Sequence, residues 1–392
     1  LLLGRQDTLL MPHIGASTAE AEENCAVMAA NQLRAFLEHG NIRNSVNFPA
    51  IELERTTDYR ITIANRNEPG TLSHILTLIG DEGLNNDDPP VQPVRTMKAL
   101  VIFNTYAAAG RSARLRPAIQ QRMHELGIAP EFLETAAPGH ATELVADCDM
   151  QRFDVLVAAG GDGTLFEVVN GVYERPPEGR IALGVLPIGT GNAFAQDLGL
   201  RPGDWRSGIQ LLTEGTPRRI DVGRVRCLDE TYYFLNIIGM GFAVDAGLTA
   251  LRLKALGRSA YTLATLREIL RLKTYPIIMD VDGQRFEEEN LFVEISNTRY
   301  TGTHFLIAPR AIMNDGLFDL TVVRPLSRLR LLRLFPTIYS GRHIEFDEVI
   351  TLRGRKISID APSGMPLAVD GEFRGSSPVQ IECLHQDLEL IY

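Results

Sequence analysis

Apolar positions follow two rhythms along this chain, and the change from one to the other divides it. Ala99–Phe103 is an unbroken apolar run of strand-forming type, and Arg111–Leu126 repeats its apolar positions at helical spacing. Phe153–Ala159 is a second buried-strand run that ends directly in a glycine turn. A helix over Thr164–Tyr173, a strand over Ile181–Leu186 and a helix over Ala193–Leu198 follow. This βαβα order predicts a parallel sheet with helices on both faces. Past Ile220 the rhythm becomes that of short strands: Tyr232–Ile238, Ile277–Val281, Leu291–Ile295, Phe318–Val323 and Val349–Ile359. Two helical stretches, Asp245–Leu272 and Ser327–Tyr339, interrupt them. The expected fold class is therefore α/β plus all-β. An α/β domain is expected over residues 97–215 and a β-rich, sandwich-like domain over 216–377, with 378–392 a candidate for returning to the first.

The pattern lapses between Asn85 and Pro93, where three prolines and no periodicity mark a linker, placed at residues 86–96. Met97 is a candidate start of an independent protein, and Leu1, inside what reads as a structural element, is the mark expected of a fragment. A length of 392 residues suits two or three domains. Hydrophobic content of 45% with 22% charged residues is that of a soluble globular protein. A net charge of −10 argues against a general nucleic-acid binder. Cys25, Cys148, Cys227 and Cys383 form no CxxC pair, which fits a reducing cytoplasm. No apolar run is long enough to cross a bilayer as a helix, so any membrane contact is expected to be peripheral.

Two glycine-rich turns carry the chemistry. Gly160-Gly161-Asp162-Gly163-Thr164 stands at the carboxyl end of a predicted parallel strand, where ligands of open α/β sheets bind. Glycines allow close backbone approach, and the amides opening the next helix face an incoming phosphate. Bare phosphate would repel Asp162, so its expected role runs through Mg²⁺ or a metal-held water. Alone, the turn reads equally well as a tight strand-to-helix connection with a cap. A second strand, however, ends in Pro187-Ile188-Gly189-Thr190-Gly191-Asn192 and again enters a helix. The pair predicts a composite phosphate cradle, with Asn104 at the end of the first strand as a third contributor. The GxxxxGK[ST] loop, GxGxxG and HExxH are all absent.

Asp370-Gly371-Glu372 offers carboxylates for a proton-accepting step. In a strand the two acids would share a face, whereas Asp-Gly is also a strong hairpin-turn signal. Asp315-Gly316 poses the same choice. Arginines and lysines (Arg252, Lys254, Arg258, Arg267, Arg271, Lys273) mark one helical stretch. Arg324, Arg328, Arg330, Arg333 and Arg342 border another, among Leu329, Leu331, Leu332, Leu334 and Phe335. Such local basicity in an acidic chain suggests contact with an anionic membrane surface, against the plainer reading of solvated helix faces.

From Met97 onward the chain resembles the bacterial diacylglycerol-kinase and sphingosine-kinase-like lipid kinases. Gly160–Thr164, Pro187–Asn192, Ala308-Pro309, Asp315-Gly316-Leu317-Phe318-Asp319 and Asp370–Glu372 match that family in order and spacing. GGDGT alone is shared with NAD kinases. The resemblance implies a Rossmann-like nucleotide domain and a lipid kinase using ATP and Mg²⁺ in phospholipid metabolism. It implies ATP contacts from Asn104, Thr135, Gly160, Gly161, Asp162, Gly163, Thr164, Leu165, Phe166 and Thr190, with Gly189, Gly191 and Asn192 in the same cradle. It assigns a metal to Asp315 with the carbonyls of Ile312 and Leu317, and proton acceptance to Glu372 with Asp370 close by. The first loop departs from the family's Asn-Pro pattern, since Asn104 is followed by Thr105-Tyr106.

Residues 1–85 resemble something else. Leu10–Thr18, the helical stretch through Leu37, and Arg60–Asn65 leading through Glu68-Pro69-Gly70 are similar to the tail of a D-3-phosphoglycerate dehydrogenase with part of an ACT domain. His13 matches that family's catalytic histidine, but the nucleotide fold and orienting partners are missing. The segment is expected to be an inactive remnant whose half ACT unit is a candidate for forming a homodimer. The expected function is a lipid kinase, with an NAD-kinase-like phosphotransferase or an inactive fusion as the alternatives.

Overall fold

The computed structural model describes residues 96–392 apart from Ala109, residues 228–229, 254–258, 303–304 and Ser363, together with a few helical positions between residues 31 and 41. The remnant, linker and ACT expectations on residues 1–95 therefore lie almost wholly outside the described residues. Residues 96–392 form one compact unit.

Four strands build the nucleotide half: β1 (Met97–Phe103), the half-exposed edge strand β2 (Ile128–Glu134), and the fully buried β3 (Val155–Gly160) and β4 (Ala182–Pro187). They pair in parallel in the order β2-β1-β3-β4. Parallel strands need crossovers, and helices α1 (Arg116–Glu125), α2 (His140–Asp147) and α3 (Asp162–Tyr173) supply them. Apolar residues on opposite faces of this sheet belong to two separate cores. One holds Leu100, Ile102, Leu156, Val168 and Phe194; the other holds Val101, Phe103, Val157, Ile119 and Trp205. Helices α4 (Ala193–Asp197) and α5 (Trp205–Glu214) complete this half.

The chain then enters β5 (Pro217–Cys227), β6 (Glu230–Phe234), β7 (Ile237–Gly241), helices α6 (Phe242–Arg252) and α7 (Ser259–Arg271), and strands β8 (Tyr275–Val281), β9 (Gln284–Asn290) and β10 (Phe292–Ser296). Short β11 (Tyr300–Thr301) and β12 (Phe305–Leu306), β13 (Phe318–Val323), α8 (Arg328–Leu334) and β14 (Val349–Gly354) follow. The chain ends in β15 (Lys356–Asp360), β16 (Pro366–Val369), β17 (Glu372–Ser376) and β18 (Val379–Ile391). A six-stranded antiparallel sheet, β14-β13-β10-β7-β16-β17, packs on the antiparallel part of the other sheet around Ile238, Met279, Leu320, Ile357 and Ile381. The sandwich expectation holds.

The first sheet runs on into the sandwich. The 13-residue β18 pairs with β15 near its start, through Lys356↔Glu382, and with parallel β4 near its end, through Leu390↔Leu183. β5 follows it antiparallel along nearly its whole length. β18 thus joins β4 of the nucleotide half, and both halves share one ten-stranded sheet.

Two expected strands are broken. Tyr232–Ile238 splits at Leu235-Asn236 because the amides of residues 235–237 turn to a side chain, the Asp370 carboxylate. Val349–Ile359 splits near Arg355 as the chain passes between sheets, and the Asp282 carboxylate takes the amides of Arg355 and Lys356 at 2.9 and 2.8 Å.

Helix α3 joins the halves. Phe166, 3% exposed, leaves its helix to enter the sandwich core. One turn on, Asn170 Nδ2 donates to Tyr233 O at 2.9 Å while its Oδ1 accepts from Tyr233 N at 3.0 Å. Phe166→Ala removes a buried ring from that core and is expected to destabilise the protein by about 3–5 kcal/mol, measured by urea unfolding.

Candidate active site at the glycine turns

Parallel pairing aligns the strand ends. Phe103 lies opposite both Glu134 and Ala159, and Gly160 lies opposite Pro187. Asn104, Thr135, Gly161 and Ile188 consequently emerge from one edge, the carboxyl edge at which open α/β sheets bind ligands.

The two glycine turns touch back to back. Gly189 N donates to Gly160 O at 2.8 Å. A Cβ on Gly189 would stand 2.7 Å from Gly161 N, so only glycine fits there. Helix α3 begins two residues earlier than its sequence pattern predicts, at Asp162, and Leu165 N is bonded to Gly161 O at 3.0 Å. The amides before Leu165 stand at the open, positive end of a 12-residue helix, beside the cradle.

Asp162 Oδ1 accepts from Phe194 N at 3.3 Å, and its other oxygen lies where a Cβ on Gly191 would intrude, at 2.8 Å. The carboxylate thus reaches from the start of α3 to the start of α4 and holds the second turn. Burial pushes its pKa up, while the amides of Ala193, Phe194 and Asn192 pull it down. Asn192, 3% exposed and left-handed at φ 53°, bonds back to Gly189 O at 2.8 Å. Thr190 is exposed, and Thr164, Leu165 and Phe166 are buried.

The first loop is ordered despite Thr105-Tyr106. Asn104 Nδ2 donates to Thr164 Oγ1 at 2.8 Å, and Asn104 Oδ1 accepts from Tyr106 N at 2.9 Å. Ser112 Oγ gathers the carbonyls of Asn104, Thr105 and Ala107 at 2.8–3.0 Å. Thr135 is 7% exposed, with its amide on Phe103 O. The loop after it is held by Glu167, a residue the sequence reading passed over. Glu167 Oε1 accepts from Gly139 N at 2.7 Å and Oε2 from Ala141 N at 3.1 Å. A carboxylate three residues into the helix after Thr164 is visible in sequence, but nothing there reveals its partner loop.

Asp370 and Glu372 do not share a face. Val369 pairs with Glu372, so Asp370-Gly371 is a two-residue hairpin turn, with φ of 49° and 88°. Asp370 turns inward, 5% exposed, and accepts from the amides of Leu235, Asn236 and Ile237 at 2.9–3.0 Å. Burial pushes its pKa up to about 7 against those three donors. Glu372 turns the other way, keeps a side open to solvent, and reaches the first glycine turn, where any Cβ on Gly163 would collide with its Oε1. Partial burial and, secondarily, the Glu167 carboxylate raise its pKa; Arg374 opposes them. The turn reading is realised at Asp370-Gly371, and Glu372 lies beside the first glycine turn.

Asp315 belongs to another neighbourhood. Its Oδ2 contacts Arg353, which also reaches Asp319 Oδ2 at 3.3 Å, and its Oδ1 accepts from Leu317 N at 3.2 Å. Gly316 N is held at 2.6 Å by Asp221, which is fully buried and also bonds His385 Nδ1 at 2.8 Å. Both oxygens of Asp315 are engaged by protein donors, one of them a guanidinium. So arranged, Asp315 does not fit a cation shared with the carbonyls of Ile312 and Leu317. No group of three or more His, Cys, Asp or Glu side chains suited to a metal occurs among the described residues.

Comparison with known proteins agrees with this architecture. Residues 98–225 match the diacylglycerol kinase catalytic domain, and residues 236–392 match the YegS C-terminal NAD kinase beta sandwich-like domain. These matches lend no support to the dehydrogenase reading of residues 1–85. The diacylglycerol kinase of Staphylococcus saprophyticus is 30% identical over 295 residues, spanning 75% of this chain and 94% of that relative. That of Bacillus subtilis is 28% identical over 296 residues, spanning 75% and 96%. The crystal structure of a diacylglycerol kinase from Bacillus anthracis superposes with a TM-score of 0.63 at 27% identity, covering 76% of this chain and 98% of that one. Matched over three quarters of its length by a relative 30% identical, this chain belongs to the diacylglycerol kinase family.

Proposed function

We propose that residues 96–392 transfer the γ-phosphate of MgATP to the hydroxyl of a lipid, a diacylglycerol or a related molecule. One observation carries the reading: the Glu372 carboxylate stands against Gly163, at the mouth of the phosphate cradle. An acceptor hydroxyl placed beside the Glu372 carboxylate, facing the cradle, gives its proton to Glu372 as its oxygen attacks the γ-phosphorus, and the β–γ bridging oxygen leaves with ADP. The amides opening α3 and the Gly189–Asn192 turn receive the phosphates, while Asn104 and Thr135 border them. Mg²⁺ enters with ATP as part of the substrate, and no step runs through Asp315. Asp370 supports the hairpin that presents Glu372 and stays out of contact with substrate. The acceptor is met at a membrane surface.

The NAD-kinase-like alternative draws on the sandwich domain that residues 236–392 match. Incubation with NAD and labelled ATP tests it: labelled NADP with no labelled lipid would replace the lipid reading.

Glu372→Gln keeps the side chain's size and removes the base. It is expected to lower labelling of lipid extracts by [γ-³²P]ATP at least 100-fold, with ATP affinity kept within about twofold. Undiminished labelling excludes Glu372 as the base. The sign of the pH effect follows from its raised pKa. The base is lost as pH falls, so the acid limb of kcat/KM should lie above the ordinary glutamate value of about 4.3.

Asp162→Ala opens the clasp between the turns. Lipid labelling and ATP binding, the latter by calorimetry, are both expected to fall at least tenfold in a protein that stays folded. ATP binding kept while labelling is lost would place Asp162 on the metal-water network instead. Gly189→Ala should weaken ATP binding at least tenfold, because its methyl displaces Gly161.

A further inference from the structure

Eleven large apolar side chains are exposed among the described residues, and six of them fall on three helices of the sandwich half. Leu263, Leu266 and Leu270 are 45%, 50% and 69% exposed and recur at i, i+3 and i+7, one face of α7. Leu251 closes α6 at 54% exposed, and Leu329 and Leu332 lie three apart on α8. The opposite sides of these helices are anchored. Thr249 Oγ1 donates to Glu268 Oε1 at 2.9 Å between α6 and α7, and Ala264, Ile269, Leu331 and Leu334 are buried.

The leucine-bearing ends of α7 and α8 adjoin, because Arg328 at the start of α8 donates to Leu270 O near the end of α7, at 2.7 Å. Charge then selects the occupant. Arg324, Arg330 and Arg342 are spent on Glu288, Glu348 and Glu345. Arg252, Arg267, Arg271, Lys273 and Arg333, by contrast, make no ion pair among the described residues, although the chain is acidic as a whole at −10. Exposed leucines each followed by a cation with no ion pair among the described residues (Leu251-Arg252, Leu266-Arg267, Leu270-Arg271, Leu332-Arg333) suit an apolar layer covered by anions, which is the boundary of an anionic bilayer.

The face also adjoins the site. A Cβ on Gly247 of α6 would stand 2.5 Å from the Phe373 ring, so α6 lies directly on the residue after Glu372. Leu251 comes four residues further, about 6 Å along the helix axis. We infer that the leucine face of α7 and α8, with Leu251, seats the protein on anionic membranes and brings the acceptor lipid to Glu372. This rests on the lipid-kinase reading for its purpose, and on the exposed face for its existence.

The test compares the intact chain with a Leu266→Glu, Leu270→Glu, Leu329→Glu variant, whose changes all lie at exposed positions. Each is sedimented with vesicles of phosphatidylcholine alone or with 30% phosphatidylglycerol. Each is also assayed on dihexanoylglycerol dispersed below its micelle threshold. The unaltered protein should pellet with the anionic vesicles, and the variant should partition at least tenfold more weakly while phosphorylating the soluble lipid at the same rate. Equal binding of both proteins, or no binding of the unaltered one to anionic vesicles, overturns the inference. Vesicle binding that the variant loses, in a protein that labels no lipid, keeps the docking face and removes the kinase reading.

Discussion

Helix α3 is the constraint on which the rest of the site depends. Asp162 at its first residue holds the second glycine turn, and Thr164 holds Asn104 of the first loop. Phe166 fixes the helix in the sandwich core, Glu167 ties down the loop after Thr135, and Asn170 grips the backbone of β6. At 100° per residue Thr164 and Glu167 leave the helix away from Asp162, Phe166 and Asn170, so one rod sets three loops, strand β6 and its seat in the sandwich core at once. Its amino end is also where phosphate is best received. Chemistry and architecture thus share a single element, and a disturbance at one of these anchors reaches the others.

The continuous sheet explains why the sandwich acid can meet the cradle reproducibly. A flexible link between two domains would let Glu372 drift, whereas β5 and β18 run through both halves as paired strands. Asp221, buried on β5, receives Gly316, His385 and Gln386 where the pairing of β18 shifts. That buried carboxylate is satisfied by three donors, which is what makes its burial tolerable.

Much of this was legible in sequence, for definable reasons. The α/β half declares itself because β1, β3 and β4 are buried and read as unbroken apolar runs ending in glycine turns, whereas the half-exposed edge strand β2 carries Pro130, Glu131 and Glu134 and gives no such signal. Strand breaks at Leu235 and Arg355 were invisible, since each depends on a carboxylate distant in the chain, Asp370 or Asp282. The same limit hid Glu167 and Asn170: their positions are plain, but the loops they hold are joined to them only by the fold. Arg353 is the sharpest case. The motif around Asp315 reads as a cation site until a guanidinium 38 residues later is seen to occupy its carboxylate.

Asp370 and Glu372 show why spacing alone could not assign their roles. In a regular strand, acids two apart would meet the same surroundings and titrate as a coupled pair. Left-handed backbone at both Asp370 and Gly371 reverses the chain between them, so one acid faces three amides and the other faces the cradle. Asp370 gives its oxygens to three N–H donors away from the cradle, whereas Glu372 keeps a side open beside Gly163, where an acceptor hydroxyl can reach it. The difference between the two proposed roles thus rests on a turn of two residues, and the Asp-Gly signal that argued for an ordinary hairpin is the feature that separates the two acids.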